Sequence, residues 1–134
     1  TAAVRTDGFT KQLVPAEFPA VADGEMIQAL YDSAVEQGGS VAKGITMTVD
    51  AFFTGPLELP HKLYKAAGVV ACEMEISALY VIAAIRGVRA AAIVAIDGFA
   101  DSDLAAEYNP HTNVVAQAVE REIIAALDAI VKLA

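Results

Sequence analysis

VVACEMEISALYVIAAIRGVRAAAIVAID, residues 69–97, holds the pattern that decides the fold. Val69 to Cys72 reads as a short buried strand, Glu75 to Arg86 as a helix, and Ala90 to Ile96 as a strand apolar on both faces. Continuous apolar runs of this kind suit a parallel sheet covered on both sides. Working outward, residues 41–49 are rich in β-branched side chains and read as another strand, and residues 1–5 as a further one. Ala22 to Gln37 reads as a helix with Asp23 able to cap it, a stripe of Met26, Ile27, Leu30, Ala34 and Val35, and Gly38-Gly39 to stop it. A short helix is expected around residues 61–67. Residues 6–20 read as irregular, broken by Asp7-Gly8, Pro15 and Pro19. A last helix over 110–133 follows from Val114, Val115, Ala118, Val119, Ile123, Leu127, Ile130 and Val131 at three- and four-residue intervals. The order βαβ(α)βαβα predicts an α/β layer with right-handed crossovers.

Composition narrows the function. In 134 residues, 56% hydrophobic and 19% charged, there is enough apolar material for one domain with a sizeable core, and disorder is excluded. A net charge of −8 argues against nucleic acid, which needs clustered cations. The single Cys72 and the lack of any secretory pattern predict a reducing, cytoplasmic setting. The longest apolar run, around Tyr80, is cut by Arg86, too short for a bilayer. His61 and His111 have no second ligand at metal spacing, so no metal is expected.

In open α/β sheets, ligands collect beyond the carboxyl ends of the strands. Three such ends carry unusual groups: Asp50-Ala51-Phe52-Phe53, Glu73-Met74-Glu75 and Asp97-Gly98-Phe99. On one rim they would offer an aromatic face to a flat ring and carboxylates to hydroxyl donors. The same residues also fit plainer roles. Phe52 and Phe53 suit a core, Glu73 and Glu75 a solvated helix start, Asp97-Gly98 a turn, and Cys72 a small buried position.

EFPAVAD (17–23) and EMEISALY (73–80), with TAAVRTDG (1–8), TVDAFF (48–53) and RGVRAA (86–91), resemble the nucleoside phosphorylase superfamily, in particular the C-terminal half of uridine phosphorylases. The resemblance implies a three-layer α/β sandwich with a mixed, largely parallel central sheet flanked by helices. Residues 1–134 would be a single C-terminal portion whose N-terminal half is absent. It implies a pentosyltransferase that adds inorganic phosphate to the anomeric carbon of a nucleoside, releasing the base and a pentose 1-phosphate, with no cofactor. Phe52 matches the residue packed on the base, Met74 and Glu75 those holding the ribose, and Cys72 and Glu73 positions beside the base. In purine-specific members an Asp reads the purine where Gly98 falls here, with Asp97 one position early. Uridine enzymes place a Gln and an Arg where Pro56 and Glu58 stand, and Glu58 cannot donate as Arg does.

The family's phosphate site, a Gly-rich turn and several Arg residues, lies in the other half. Arg86 and Arg89 are expected at the far end of the sheet, and Arg5 is the only other Arg before the last helix. The chain by itself is therefore expected to be inactive in phosphorolysis. A nucleosidase using water, or a non-catalytic nucleoside-binding or assembly module, are the competing readings. The resemblance also implies a homo-oligomer or a partner half, so that a stable monomer is not expected.

Overall fold

The computed structural model describes residues 1–53 and 55–134. Four strands, β1 (Ala2–Arg5), β2 (Ala20–Val21), β3 (Ile45–Thr48) and β4 (Val69–Glu73), form one sheet in the order β2-β1-β3-β4. β1 runs parallel to β3 and β3 to β4, and only the two-residue β2 is antiparallel. Helices flank this mixed, mostly parallel sheet: α1 (Gly24–Glu36), α2 (His61–Ala66), α3 (Ile76–Arg86), the short α4 (Leu104–Glu107) and α5 (Asn113–Leu133). A single 3-10 turn, Thr10–Gln12, lies in the segment read as irregular. Among the described residues no helix is long and apolar enough to cross a membrane.

Local sequence explains the helix ends. Asp23 caps α1 by accepting from the Met26 amide at 2.9 Å, and Thr112 caps α5 from the Val115 amide at 3.2 Å. Gly87 closes α3 at φ 64°, a left-handed backbone that a side chain would oppose. α1 packs along α5, joined at their ends by Lys132 to Glu36 at 2.7 Å and Gln37 to Asp128 at 3.1 Å.

α3 lies on β1, β2 and β3, where Ile76, Tyr80 and Val81 bury against Ala3 and Ala20. Small residues on β1 and β2 let the helix approach closely. Phe18, Val14, Ala90 and Ala92 complete that cluster. Opposite Ile45, β4 holds one extra residue, Val70, as a bulge. The neighbouring Gly44 is required there, because a Cβ would lie 2.7 Å from Val70 Cγ1.

The expected strand 90–96 is not one. The segment packs Ala90 and Ala92 on the α3 core, and the Ala90 carbonyl accepts the Asp23 amide at 2.8 Å. No strand ladder runs along it among the described residues. Its apolar composition specifies burial, whereas a strand also needs a hydrogen-bonded partner edge, and among the described residues the sheet ends at β4 without pairing this segment. Residues 41–44, expected as the start of β3, are likewise outside the ladder.

Candidate functional site

The register puts Arg5, Thr48 and Glu73 side by side at the carboxyl ends of three parallel strands. The loops leaving these strands therefore share one rim. Here a cavity of about 240 Å³ is lined by Phe52, Cys72, Glu73, Met74, Glu75, Asp97 and Gly98, all seven of the residues singled out from the sequence. Leu59, His61, Phe99, Leu104 and Tyr108 add to its wall. Pro56 and Glu58 are exposed and do not line it.

The carboxylates differ in how far they are engaged. Glu73 is taken up: Oε2 accepts the amides of Glu75 at 2.7 Å and Ile76 at 2.6 Å, and Oε1 the hydroxyls of Thr48 at 2.5 Å and Thr46 at 3.2 Å. It thus serves as an acceptor for the otherwise unpaired first amides of α3. Asp97 Oδ2 accepts the Tyr108 phenol at 2.6 Å, a bond that pushes the phenol above its ordinary pKa. The Glu75 carboxylate is exposed and accepts no hydrogen bond among the described residues, so it is open to a ligand.

Aromatic rings form the other wall. Phe52 meets Tyr108 edge-on, with centroids 4.9 Å apart at 61°, and Phe53 at 4.9 Å and 81°. Neither phenylalanine is a core residue; Phe53 is 65% exposed. A Cβ at Gly98 would meet the Tyr108 ring at 3.3 Å, so glycine lets that ring close over the loop. The Cys72 thiol, half-buried in the floor, is pushed up by burial first and by the Glu73 charge second. Tyr108 had no signal in the sequence beyond being an aromatic in a polar loop; its role depends on the fold bringing that loop back over Phe52.

A buried polar cluster under the rim was also not foreseen. Asp7, 3% exposed, accepts from the Thr10 amide at 2.6 Å, the Thr10 hydroxyl at 2.8 Å and the Ser77 hydroxyl at 2.6 Å. Burial alone would raise its pKa, but these bonds outweigh that and hold the carboxyl below its ordinary value. The Ser77 amide donates to Thr48 Oγ1 at 2.9 Å, and Thr48 Oγ1 donates to Glu73. Arg5 is consumed nearby, donating to the carbonyls of Thr10 at 3.0 Å and Pro15 at 2.8 Å. Arg89 sits at the other end of the sheet, paired with Asp23 and Glu25, and its hydrogen bonds lower Asp23 to about 2. Among the described residues, no Lys or Arg lines the cavity.

A second, larger space of about 600 Å³ lies between α1, α5, the 90–96 segment and the sheet. Its walls are mostly aliphatic, with Ile27, Leu30, Val70, Ile93 and Val94 among them. It is the bigger cavity, but the chemistry converges at the smaller one. Carboxylates and aromatic faces meet there, and positions able to fix a ligand's orientation, rather than volume, define a site.

Known proteins match this arrangement along its whole length. The family model described as the phosphorylase superfamily covers residues 1–132, and the chain belongs to that family. The purine nucleoside phosphorylase of Plasmodium falciparum is 32% identical over 135 residues, 99% of this chain and 54% of its own length. The uridine phosphorylase of Thermococcus kodakarensis is 36% identical over 107 residues, 71% of this chain and 39% of its own. A crystal structure of purine nucleoside phosphorylase from Toxoplasma gondii, in complex with immucillin-H, superposes with a TM-score of 0.84 at 30% identity, over 98% of this chain and 53% of that one. The chain thus spans about half the length of these relatives. Its relatives include both purine and uridine enzymes.

Proposed function

We propose that this chain supplies the sugar- and base-binding rim of a nucleoside phosphorylase, acting on uridine or a related nucleoside. In the reaction an oxygen of inorganic phosphate bonds to the anomeric carbon, and the carbon–nitrogen bond to the base breaks. The base leaves with the bonding pair and takes up a proton, and the sugar remains as a pentose 1-phosphate. The observation that carries this reading is the free Glu75 carboxylate in the same cavity as Met74 and the Phe52 ring. Glu75 accepts from the ribose hydroxyls and Met74 packs on the sugar. Phe52, with Cys72 and Glu73 beside it, borders the base, and Asp97 and Gly98 lie at its far edge. A fixed carboxylate under the ribose orients the sugar and favours positive charge developing on its ring.

The supporting comparisons are to proteins about twice as long. With no Lys or Arg among the described lining residues, the phosphate contacts belong to residues outside this rim, in a partner half or a neighbouring copy within a cytoplasmic oligomer. No cofactor enters the reaction. The test is release of free base from uridine and from inosine by the whole protein, with and without phosphate. Glu75→Gln should lower kcat/KM by about 100-fold, the loss of hydrogen bonds to a charged group. Base release that persists without phosphate would replace phosphorolysis by hydrolysis. Unchanged activity in Glu75→Gln would remove this assignment of the site.

The absence of Lys and Arg among the described lining residues favours one second reading, a module that binds nucleosides without turning them over. Calorimetry separates it: binding without base release under any phosphate condition.

A further inference from the structure

Glu75 offers a free carboxylate, yet the backbone that carries it is tightly held. Its amide and that of Ile76 end on Glu73 Oε2, and Glu73 Oε1 ends on Thr48. Thr48 in turn accepts the Ser77 amide, and the Ser77 hydroxyl donates to Asp7. The direction of each bond is forced. An ionised carboxylate only accepts, so Ser77 and Thr10 must give their protons to Asp7, and Thr48 must give its own to Glu73. Ser77 and Thr48 are 0% and 1% exposed, so water cannot substitute for either hydroxyl. The first turn of α3 is thereby tied on one side to the end of β1 and on the other to the ends of β3 and β4.

We infer that Asp7, acting through Ser77, Thr48 and Glu73, is a positioning residue that aims Glu75 at the ribose and sets how strongly the site prefers a ribonucleoside over its 2′,3′-dideoxy counterpart. This rests on the reading of Glu75 given above. The bonds that anchor the start of α3 thus also fix the backbone of Glu75, so a change in this network that the helix itself survives would still move the Glu75 carboxylate. Here the chain of bonds runs from a buried carboxylate to Glu75, whose carboxylate accepts no hydrogen bond among the described residues. Hydrogen bonds to a charged acceptor lose strength steeply with misalignment. A small shift of the α3 start would therefore erode the preference before it unfolded the protein.

The experiment is calorimetric binding of uridine and inosine, each beside its 2′,3′-dideoxy form, to the whole chain and its variants. The unsubstituted chain should prefer the ribonucleoside by about 30-fold, the scale of hydrogen bonds to a carboxylate. Asp7→Asn and Ser77→Ala should each reduce the ratio to below about 5-fold while leaving dideoxynucleoside affinity unchanged, as misplacement rather than loss of a pocket demands. Asp7→Asn combined with Glu75→Gln should discriminate no worse than Glu75→Gln alone, because both act on one interaction. If Asp7→Asn does not fold, Ser77→Ala decides the matter, since it leaves both Thr10 bonds to Asp7 in place. Ser77→Thr, which restores the hydroxyl, should restore the ratio. Variants that lose stability but keep the full ratio would overturn the inference and leave the nucleoside site standing. An unsubstituted chain with no preference in either pair would overturn the site reading, and the inference with it.

Discussion

Replacing Glu73 by Ala and by Gln should produce two clearly different losses of stability. The alanine variant strands the Ile76 amide, which is partly buried, and the Thr48 hydroxyl, which is fully buried. Water can reach the Glu75 amide, which is exposed, so that bond is largely replaced. Losing a charged acceptor for a partly buried amide costs about 1.5–3 kcal/mol, and loss of an N-terminal helix acceptor falls in a similar range of about 0.5–2 kcal/mol. These two figures describe overlapping effects, so the expected total is about 2.5 kcal/mol for Glu73→Ala. Glutamine keeps the shape: its carbonyl can face the two amides while its NH₂ donates to Thr48 and Thr46, whose oxygens have lone pairs to spare. The charge and the acceptor for the buried Thr48 proton are lost while both amides stay paired, and the cost falls to about 1.5 kcal/mol. Urea denaturation followed by far-UV circular dichroism measures both. With a slope of about 2 kcal/mol per molar, the midpoints should fall by about 1.2 M for Ala and about 0.7 M for Gln. An alanine variant within about 0.2 M of the parent, or a glutamine variant as weak as the alanine one, would refute the claim that Glu73 is primarily the acceptor for α3.

Other outcomes rest on single contacts. Because the folded Asp7 carboxyl lies below its ordinary value, its contribution is present above about pH 4 and lost as the pH falls through the folded value; Asp7→Asn should flatten the acid limb of the urea midpoint against pH and leave its slope above about pH 5 unchanged. Cys72, raised by burial first and by Glu73 second, should react with iodoacetamide at pH 7 more slowly than a free thiol, and urea should abolish the difference. Gly44→Ala should cost about 2 kcal/mol by overpacking against the stiff Val70 side chain, and adding Val70→Ala should recover most of it in the same denaturation assay.

Elements written in local periodicity were legible. α1, α3 and α5 were expected at 22–37, 75–86 and 110–133 and stand at Gly24–Glu36, Ile76–Arg86 and Asn113–Leu133, with Asp23 capping as its position suggested. So were the rim residues after β3 and β4, because a parallel sheet brings strand ends together whatever lies between them; Asp97 and Gly98 line the same cavity although no strand precedes them. What was not legible depends on pairing across distance. Nothing local in Ala20–Val21 announces an antiparallel edge, and nothing in Ala90–Ile96 says that a strand-like run will find no ladder. Asp7 looked like half of an Asp-Gly turn; only the approach of Ser77, seventy residues on, turns it into the anchor of a buried network. Arg5 stood out only as the one Arg ahead of Arg86, and the fold commits its donors to loop carbonyls.

The division between engaged and open groups also constrains what the cavity can hold. Glu73 and Asp97 already accept from the protein, yet their charges remain, and with Glu75 they leave the rim negative. A phosphate dianion about 5 Å from a single carboxylate would meet repulsion of about 7 kcal/mol at an effective dielectric of about 20, before any donor could offset it. A neutral nucleoside meets no such barrier. Its hydroxyls donate, which suits a carboxylate that can only accept, and its base presents a flat face to Phe52. The same electrostatics that make this rim a poor place for phosphate make it a good one for the sugar. In a reaction that joins the two, the anion is best held across the anomeric carbon from Glu75, by cations that are not among the described residues of this rim. That predicts a strict division of labour between two sets of residues: changes at Glu75 should weaken nucleoside binding in calorimetry without weakening phosphate binding, because its charge only repels the anion, and a Glu75→Gln variant that bound phosphate more weakly would show that Glu75 takes part in holding it.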